Sequence, residues 1–208
     1  MDTAIDAAET FELLDWKRRI FGLYAEARTA SDPVAAWLTW RNVRDELFRT
    51  HSSSPIPAEE RASYPGIPCF DYDPELRVLA LVDPVEVSPE QIGSSGTEAI
   101  AFARFGVARF ELGGEELALE LYWLTAYGGG LFVPFRDATS GAETYGGGRY
   151  LLDTVKGADL GMDDDRLVLD FNFAYNPSCS YDPRWVCPLS PPANRLPVSV
   201  RAGERMPE

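Results

Sequence analysis

The chain has 208 residues, 45% of them apolar, which suffices for the buried core of one globular unit. Thirty-three acidic residues against nineteen basic give a formal net charge of -14, a balance that works against nucleic acid and anionic membrane, since both require positive potential. Only Lys17 and Lys156 among the basic residues are lysines. An acidic, lysine-poor chain fits concentrated salt, where a Debye length of about 3 Å at 1 M makes self-repulsion weak.

The first residues contain neither a basic n-region nor an apolar h-region, and no run approaches the roughly 18 apolar residues of a membrane helix. A soluble, cytoplasmic protein is therefore expected. Residues 10 to 28 read as a first helix with the stripe Leu13, Trp16, Ile20, Leu23 and Ala27. Asp32 is a good N-cap and Pro33 suits the first position of a second helix, ending near Thr50. Its stripe is Trp37, Trp40, Arg44, Leu47 and His51. One arginine breaks it, so Val43 and Phe48 are expected to join the buried face.

Ala58 to Ser63 can form one helical turn before the chain changes to a period of two. Strands are expected over Leu76–Val82, Ala99–Phe105, Val107–Leu112 and Glu116–Leu124, the last two joined at Gly113-Gly114, the clearest hairpin signal in the chain. The stretch LFVPFRDATSGAETYGGGRYLLD, Leu131 to Asp153, reads as a strand, a Thr-Ser-Gly turn, a second extended segment with Glu143 and Tyr145, and a further apolar run after Arg149. Its three glycines precede Arg149 instead of opening a helix, so a bulge or a close approach of the tail is expected there, not a phosphate cradle. After the acidic turn 163–165, Arg166 to Phe173 alternates as a strand. Leu196 to Val200 reads as an edge strand, because its proline cannot donate to a central ladder. The fold class is therefore α+β: two N-terminal helices packed on a mainly antiparallel sheet, strongly curved or barrel-like. Residues 1–208 are read as one domain, with a helical part over 10–50 and a β-rich core with a proline- and tyrosine-rich tail over 75–204.

Three segments together resemble a known family. They are Trp40-Arg41-x-x-Arg44-Asp45-x-x-Phe48 with His51 and Ser54-Pro55, the 131–151 stretch, and Asp170 to Glu204. The chain resembles, from about Trp37 to Glu204, the bacterial and archaeal family catalogued as domain of unknown function sixteen-eighty-four. That resemblance carries no catalytic roles.

Chemistry-bearing residues concentrate in two places. Arg136, Asp137, Glu143, Tyr145 and Arg149 lie in the first, and Asp170, Asn172, Tyr175 and Asn176 in the second. Asp170 and Asn172, two apart on an expected strand, share a face. Carboxylates there would be costly to bury unpaired, so arginines should answer them. The functional reading is a pocket between residues 136–149 and 170–187 for a small polar or anionic ligand. Arg136 and Arg149 would hold an anion, and Asp137, Glu143 or Asp170 would supply acid or base to any enzymatic step. The alternative is a non-enzymatic scaffold or interaction domain whose polar residues form a structural network. Ser140 lacks a nearby base, and His51 reads as a helix-terminal residue. Cys179 and Cys187 have seven residues between them, wider than usual zinc-ligand pairs. A disulfide between them is possible but disfavoured in a cytoplasm, and buried packing is the default for all three cysteines, Cys69 included. No metal or cofactor is expected, and nothing bears on oligomeric state.

Overall fold

A computed structural model describes residues 6–207. Helix α1 runs Ala7–Thr29, starting three residues before the expected position because Asp6 caps it. Helix α2 runs Pro33–Thr50, where Asp32 accepts from Val34 N and Ala35 N as its sequence predicts. The α2 stripe is buried in full, Arg44 included, with Phe48 buried and Val43 packed beside it. In α1 the fully buried residues are Ile20, Leu23 and Tyr24, while Leu13 is largely exposed. Among the described residues no helix is long and apolar enough to cross a membrane.

Seven strands follow: β1 Arg77–Ile92, β2 Ile100–Leu112, β3 Glu115–Leu124, β4 Leu131–Phe135, β5 Arg149–Asp153, β6 Met162–Asp163 and β7 Arg166–Asp170. They form one antiparallel half-barrel sheet in the order β5-β4-β3-β2-β1-β7-β6. Gly113 and Gly114 both have positive φ, +61° and +82°, and turn the β2–β3 hairpin as expected.

After the helices, the boundaries differ from the sequence reading in six places. The two strands expected over 99–112 are one strand with a bulge between Arg104 and Gly106. The inserted residue reverses the faces: Phe102 packs towards the helices, whereas Ala108, Phe110 and Leu112 pack on the opposite side. The first strand continues through Pro84 and Pro89 to Ile92. It does so because β7 accompanies it only as far as Ala80, leaving one edge free of ladder bonds. The last strand stops at Asp170 and turns into a 3-10 helix over Phe171–Phe173, started by the Asp170 carboxylate accepting from Asn172 N. The extended segment expected around Glu143 and Tyr145 is a run of turns held by Thr139 and Thr144. Leu196–Val200 is not a strand; the tail touches the sheet through single bridges, such as Arg136 with Arg195. The 58–63 turn is a 3-10 helix over Arg61–Ser63.

Both faces of the sheet are covered. The helices lie on one, over Phe102, Tyr122, Phe132, Tyr150, Val168 and Phe173. The C-terminal tail supplies Leu196, Val200 and Ala202 to the other, against Leu119, Leu121, Val133, Leu151 and Leu169. Period-two alternation places Val168 and Leu169, or Phe132 and Val133, in opposite cores. The tail crosses close to the backbone at Gly203 (φ +72°), where a Cβ would collide with the Ala174 carbonyl oxygen. At Gly148 (φ +97°) a Cβ would lie 2.6 Å from Ser190 Cβ, so the close approach of the tail expected of the glycine run is present.

Candidate functional site

Arg149 opens β5 and is buried, with 1% of its surface exposed. Its Nη2 donates to Asp137 Oδ2 at 2.9 Å and to the Val200 carbonyl at 2.9 Å. Its Nη1 donates to the carbonyls of Ala202 and Glu204, and the guanidinium lies 5.0 Å from the Phe135 ring centre. Burial lowers the Arg149 pKa, and Asp137 works against that fall. Asp137 also accepts from Thr139 N, Thr139 Oγ1 and Val200 N, so it caps the Thr-Ser-Gly turn and clamps the tail together. All the terminal N–H groups of Arg149 are thus spent within the protein.

The other expected site residues fall into separate groups. Asp170 Oδ1 accepts from Asn172 N and Nδ2, and its Oδ2 accepts from the Tyr72 hydroxyl and lies 3.7 Å from Arg77. Burial raises the Asp170 pKa against these partners. Asn172 holds Asp73 through its N–H and its carbonyl, and Trp37 Nε1 donates to the Asn172 carbonyl. This cluster ties α2 and the 70–76 segment to the end of β7. Glu143 makes a two-pronged pair with Arg201 at 3.0–3.1 Å near the surface. Arg136 pairs its backbone with Asn194 and Leu196, and its Nε is buried without a protein partner. Arg136, Glu143, Asp170 and Asn172 do not converge.

Tyr175 and Asn176 do meet at a cavity. It measures about 60 Å³ and lies between Trp16, Ile20 and Tyr24 of α1, Arg44 and Phe48 of α2, and the tail at Tyr175, Asn176 and Tyr181. Lys156 and Ala158 contribute one wall. Arg44 Nη2 donates to Glu204 Oε1 at 2.5 Å, a pair buried on both sides. The Arg44 guanidinium lies 4.8–5.2 Å from the ring centres of Trp40, Phe48 and Tyr175. Burial draws the Arg44 pKa down more than any single neighbour raises it, but Glu204 and the other nearby groups together turn the net movement upward. The other Glu204 oxygen accepts from Asn176 N at 2.7 Å and from the Tyr181 hydroxyl at 2.9 Å.

Around this pair several polar atoms have no protein partner. They include Tyr24 Oη, Arg44 Nε and Asn176 Oδ1, each on a residue lining the cavity. Trp40 Nε1 lies near Tyr24 Oη, but the geometry falls short of a hydrogen bond, and burial holds the Tyr24 hydroxyl protonated. Behind Tyr175 sits Asp153, which accepts from the Tyr175 hydroxyl at 3.3 Å and lies 3.9 Å from Lys156 Nζ. Burial raises its pKa above the ordinary value.

Of this site the sequence reading contained Tyr175 and Asn176 as site residues and Arg44 only as an interruption of the α2 stripe. Arg44 was the available signal, since an arginine on a buried stripe requires a buried carboxylate. Glu204 and Tyr24 carried no signal of their own. Tyr145 lies elsewhere, its hydroxyl 3.7 Å from Cys179 Sγ. Cys69 packs in the helix-side core with its pKa pushed up to about 12 by burial. Among the described residues no group of three or more His, Cys, Asp or Glu side chains is arranged to hold a metal ion.

These features define an α+β protein in which two helices cover one face of an antiparallel half-barrel and a clamped C-terminal tail covers the other. The chain belongs to the family described as "Protein of unknown function (DUF1684)", whose model matches residues 62–205. The match takes in the 131–153 stretch and the tail but begins after α2. The chain is also similar to an uncharacterised protein of Haloarcula marismortui solved by NMR in solution, with 38% identity, a TM-score of 0.58, and coverage of 81% of this chain and 91% of that one. No curated protein matches it.

Proposed function

We propose that this chain is a ligand-binding domain whose site is the cavity between α1, α2 and residues 175–181. The observation that carries the reading is the trio Tyr24 Oη, Arg44 Nε and Asn176 Oδ1, buried without protein partners on residues that line one cavity. A buried polar group left unpaired costs about 1–3 kcal/mol. Three together weigh heavily against a total stability of about 5–15 kcal/mol. A ligand would repay that cost by accepting from Tyr24 and Arg44 and donating to Asn176. A space of about 60 Å³ takes only a few non-hydrogen atoms, either a whole small molecule or the polar end of a larger one. Small hydroxy acids, whose carboxylate accepts and whose hydroxyl donates, and primary amides carry the matching acceptor and donor. Lys156 on the wall favours an anionic end, and the aromatic rings of Trp16, Phe48 and Tyr175 favour a flat one.

The role first assigned to Arg136 and Arg149, holding an anion, passes in this reading to Arg44 and Lys156. Any proton-transfer step would fall to Asp153, which lies behind Tyr175 with a raised pKa. The acidic, lysine-poor composition supports work in concentrated salt inside a cell.

The test is a two-dimensional NMR titration with a panel of small carboxylates, amides and phosphates, repeated on Tyr24→Phe. Phenylalanine fills the same space and removes one donor. Shifts centred on α1, α2 and residues 175–181 that weaken at least tenfold in Tyr24→Phe are expected. No binding at millimolar concentration, or binding indifferent to Tyr24→Phe, overturns the proposal.

A second reading, a scaffold without a ligand, draws support from Arg149. Its charge and four donors serve only to fasten the tail.

A further inference from the structure

Helix α1 is apolar on two opposite faces. Trp16, Ile20, Leu23 and Ala27 pack in the helix-side core, and Trp16 and Ile20 also wall the cavity described above. Phe11, Leu14, Arg18, Phe21 and Ala25 form a second stripe, spaced alternately by three and four residues, and every member of it is exposed. That alternation is the seam of paired helices. From Leu14 on, each stripe residue precedes one of the core residues by two positions, about 200° around the helix, so the stripe faces away from the core. Phe11 is 70% exposed, Leu14 38% and Phe21 45%. The Phe21 ring rests on Gly157, where a Cβ would lie 2.7 Å from it, so the ring is held in place without being covered.

We infer that α1 is the contact face of a symmetric dimer, in which the helices of two copies of this chain pair antiparallel along the seam of residues 11–25. Charge favours a second copy as the occupant. Four acidic and four basic side chains balance over α1, so the net charge of -14 sits on the rest of the chain. Two acidic chains can therefore meet on this helix without an excess of like charge across the contact.

Register points the same way, because a two-fold contact needs a seam that matches itself when reversed. With Phe11 set against the partner's Phe21, Leu14 falls against the aliphatic stem of the partner's Arg18. The Arg18 guanidinium then comes beside the partner's Asp15, and each contact occurs twice by symmetry. Parallel pairing would instead set Arg18 against the partner's Arg18. The cavity lies on the opposite face of α1 and stays open in the dimer, which needs no ligand. One seam of this length buries on the order of 1,000 Å² in total, at the small end for a specific interface, so the dimer dissociates on dilution.

Sedimentation velocity of the full-length chain tests the dimer in about 0.15 M salt, which limits the long-range repulsion of two acidic chains to about 8 Å. The sedimentation coefficient is expected to climb from the monomer towards the dimer value between roughly 1 and 300 μM. Leu14→Asp should keep the chain monomeric throughout. Arg18→Asp sets like charges beside the partner's Asp15 and should weaken the dimer about tenfold, as should Asp15→Arg. A mixture of these two charge variants pairs unlike charges on both sides of the axis and should dimerise again. Leu14 and Arg18 are exposed, so their variants should melt with the parent chain. Asp15 also meets His51 at 3.3 Å, and if Asp15→Arg unfolds, the other two variants decide. A monomer at every concentration, whether bare or bound to a different protein through α1, would overturn the assignment. So would a dimer untouched by Leu14→Asp, or charge variants that dimerise no better mixed than apart.

Discussion

Arg44, in the fourth turn of α2, and Glu204, in the C-terminal tail, meet at 2.5 Å inside the protein. One side chain belongs to the helical layer and the other to the tail, so the pair joins the two. Glu204 is fully occupied, since its second oxygen holds Asn176 and Tyr181. Removing one charge leaves the other buried and uncompensated, at a cost of about 3–5 kcal/mol. Glu204→Gln is expected to lose that much in urea unfolding. Arg44→Met combined with Glu204→Gln should recover part of it, because the glutamine oxygen still accepts from Asn176 and Tyr181 while its amide N–H groups face the methionine unpaired. Additive losses in the double variant would show that the pair is not coupled.

Arg149 fastens the other end of the same tail. Lysine cannot reproduce four N–H bonds to Asp137 and three carbonyls, because its ammonium is a single point donor. Arg149→Met, which leaves Asp137 unpaired, should cost about 3–5 kcal/mol, and Arg149→Lys should recover only part of it. Hydrogen exchange checks the cause. The Val200 amide, bound to Asp137 Oδ2 at 3.1 Å, should lose protection before the β2–β3 hairpin does. Uniform loss across the sheet would contradict the clamp.

The two helices, the hairpin at Gly113-Gly114 and the curved antiparallel sheet were legible because each rests on local rules. Asp32 caps, Pro33 fits the first turn, and paired glycines supply the positive φ of a tight hairpin. The single strand over 100–112 was not legible, since the bulge at Arg104/Gly106 swaps the inward face and imitates a break. The tail was legible only as irregular. Its order comes from bonds reaching back to Asp137, Arg149, Arg44 and Ala174, separations no periodicity encodes. The polar residues of 131–153 were recognised as special, but dense charge there reflects clamping of the tail. The cavity depends on Tyr24 and Glu204, which read as an ordinary helical tyrosine and a terminal acid.

Cys179 should stand apart from the other thiols in its response to pH. The neighbouring Cys187, Ser95 and Tyr145 side chains hold its thiol down at about 6 against burial, with the Tyr145 hydroxyl 3.7 Å from its sulfur. Alkylation by iodoacetamide of the folded chain, followed site by site by mass spectrometry, should reach half its plateau rate near pH 6 at Cys179. Cys69 should stay unreactive until far more alkaline, near 12. Equal rates at the two sites in neutral buffer would contradict the arrangement around Cys179.

Asp153 gives a stability effect of defined sign. Burial raises its folded pKa above the ordinary 3.8, despite Lys156 and the Tyr175 hydroxyl. The folded chain therefore keeps a proton at pH values where the unfolded chain has released it. Stability from this group is present in full below about pH 3.8 and falls as pH rises through the folded value, because the native state binds more protons there. Asp170 moves in the same direction. Asp153→Asn cannot ionise, so it removes the Asp153 contribution and leaves that of Asp170 in place. Urea unfolding of both proteins across the acidic range to neutrality should show their difference constant below about pH 3.8. It should then shift steadily in favour of Asp153→Asn as pH rises, and level off once Asp153 is ionised in the folded state. A difference that does not change with pH would mean that Asp153 ionises as freely in the folded protein as in the unfolded chain.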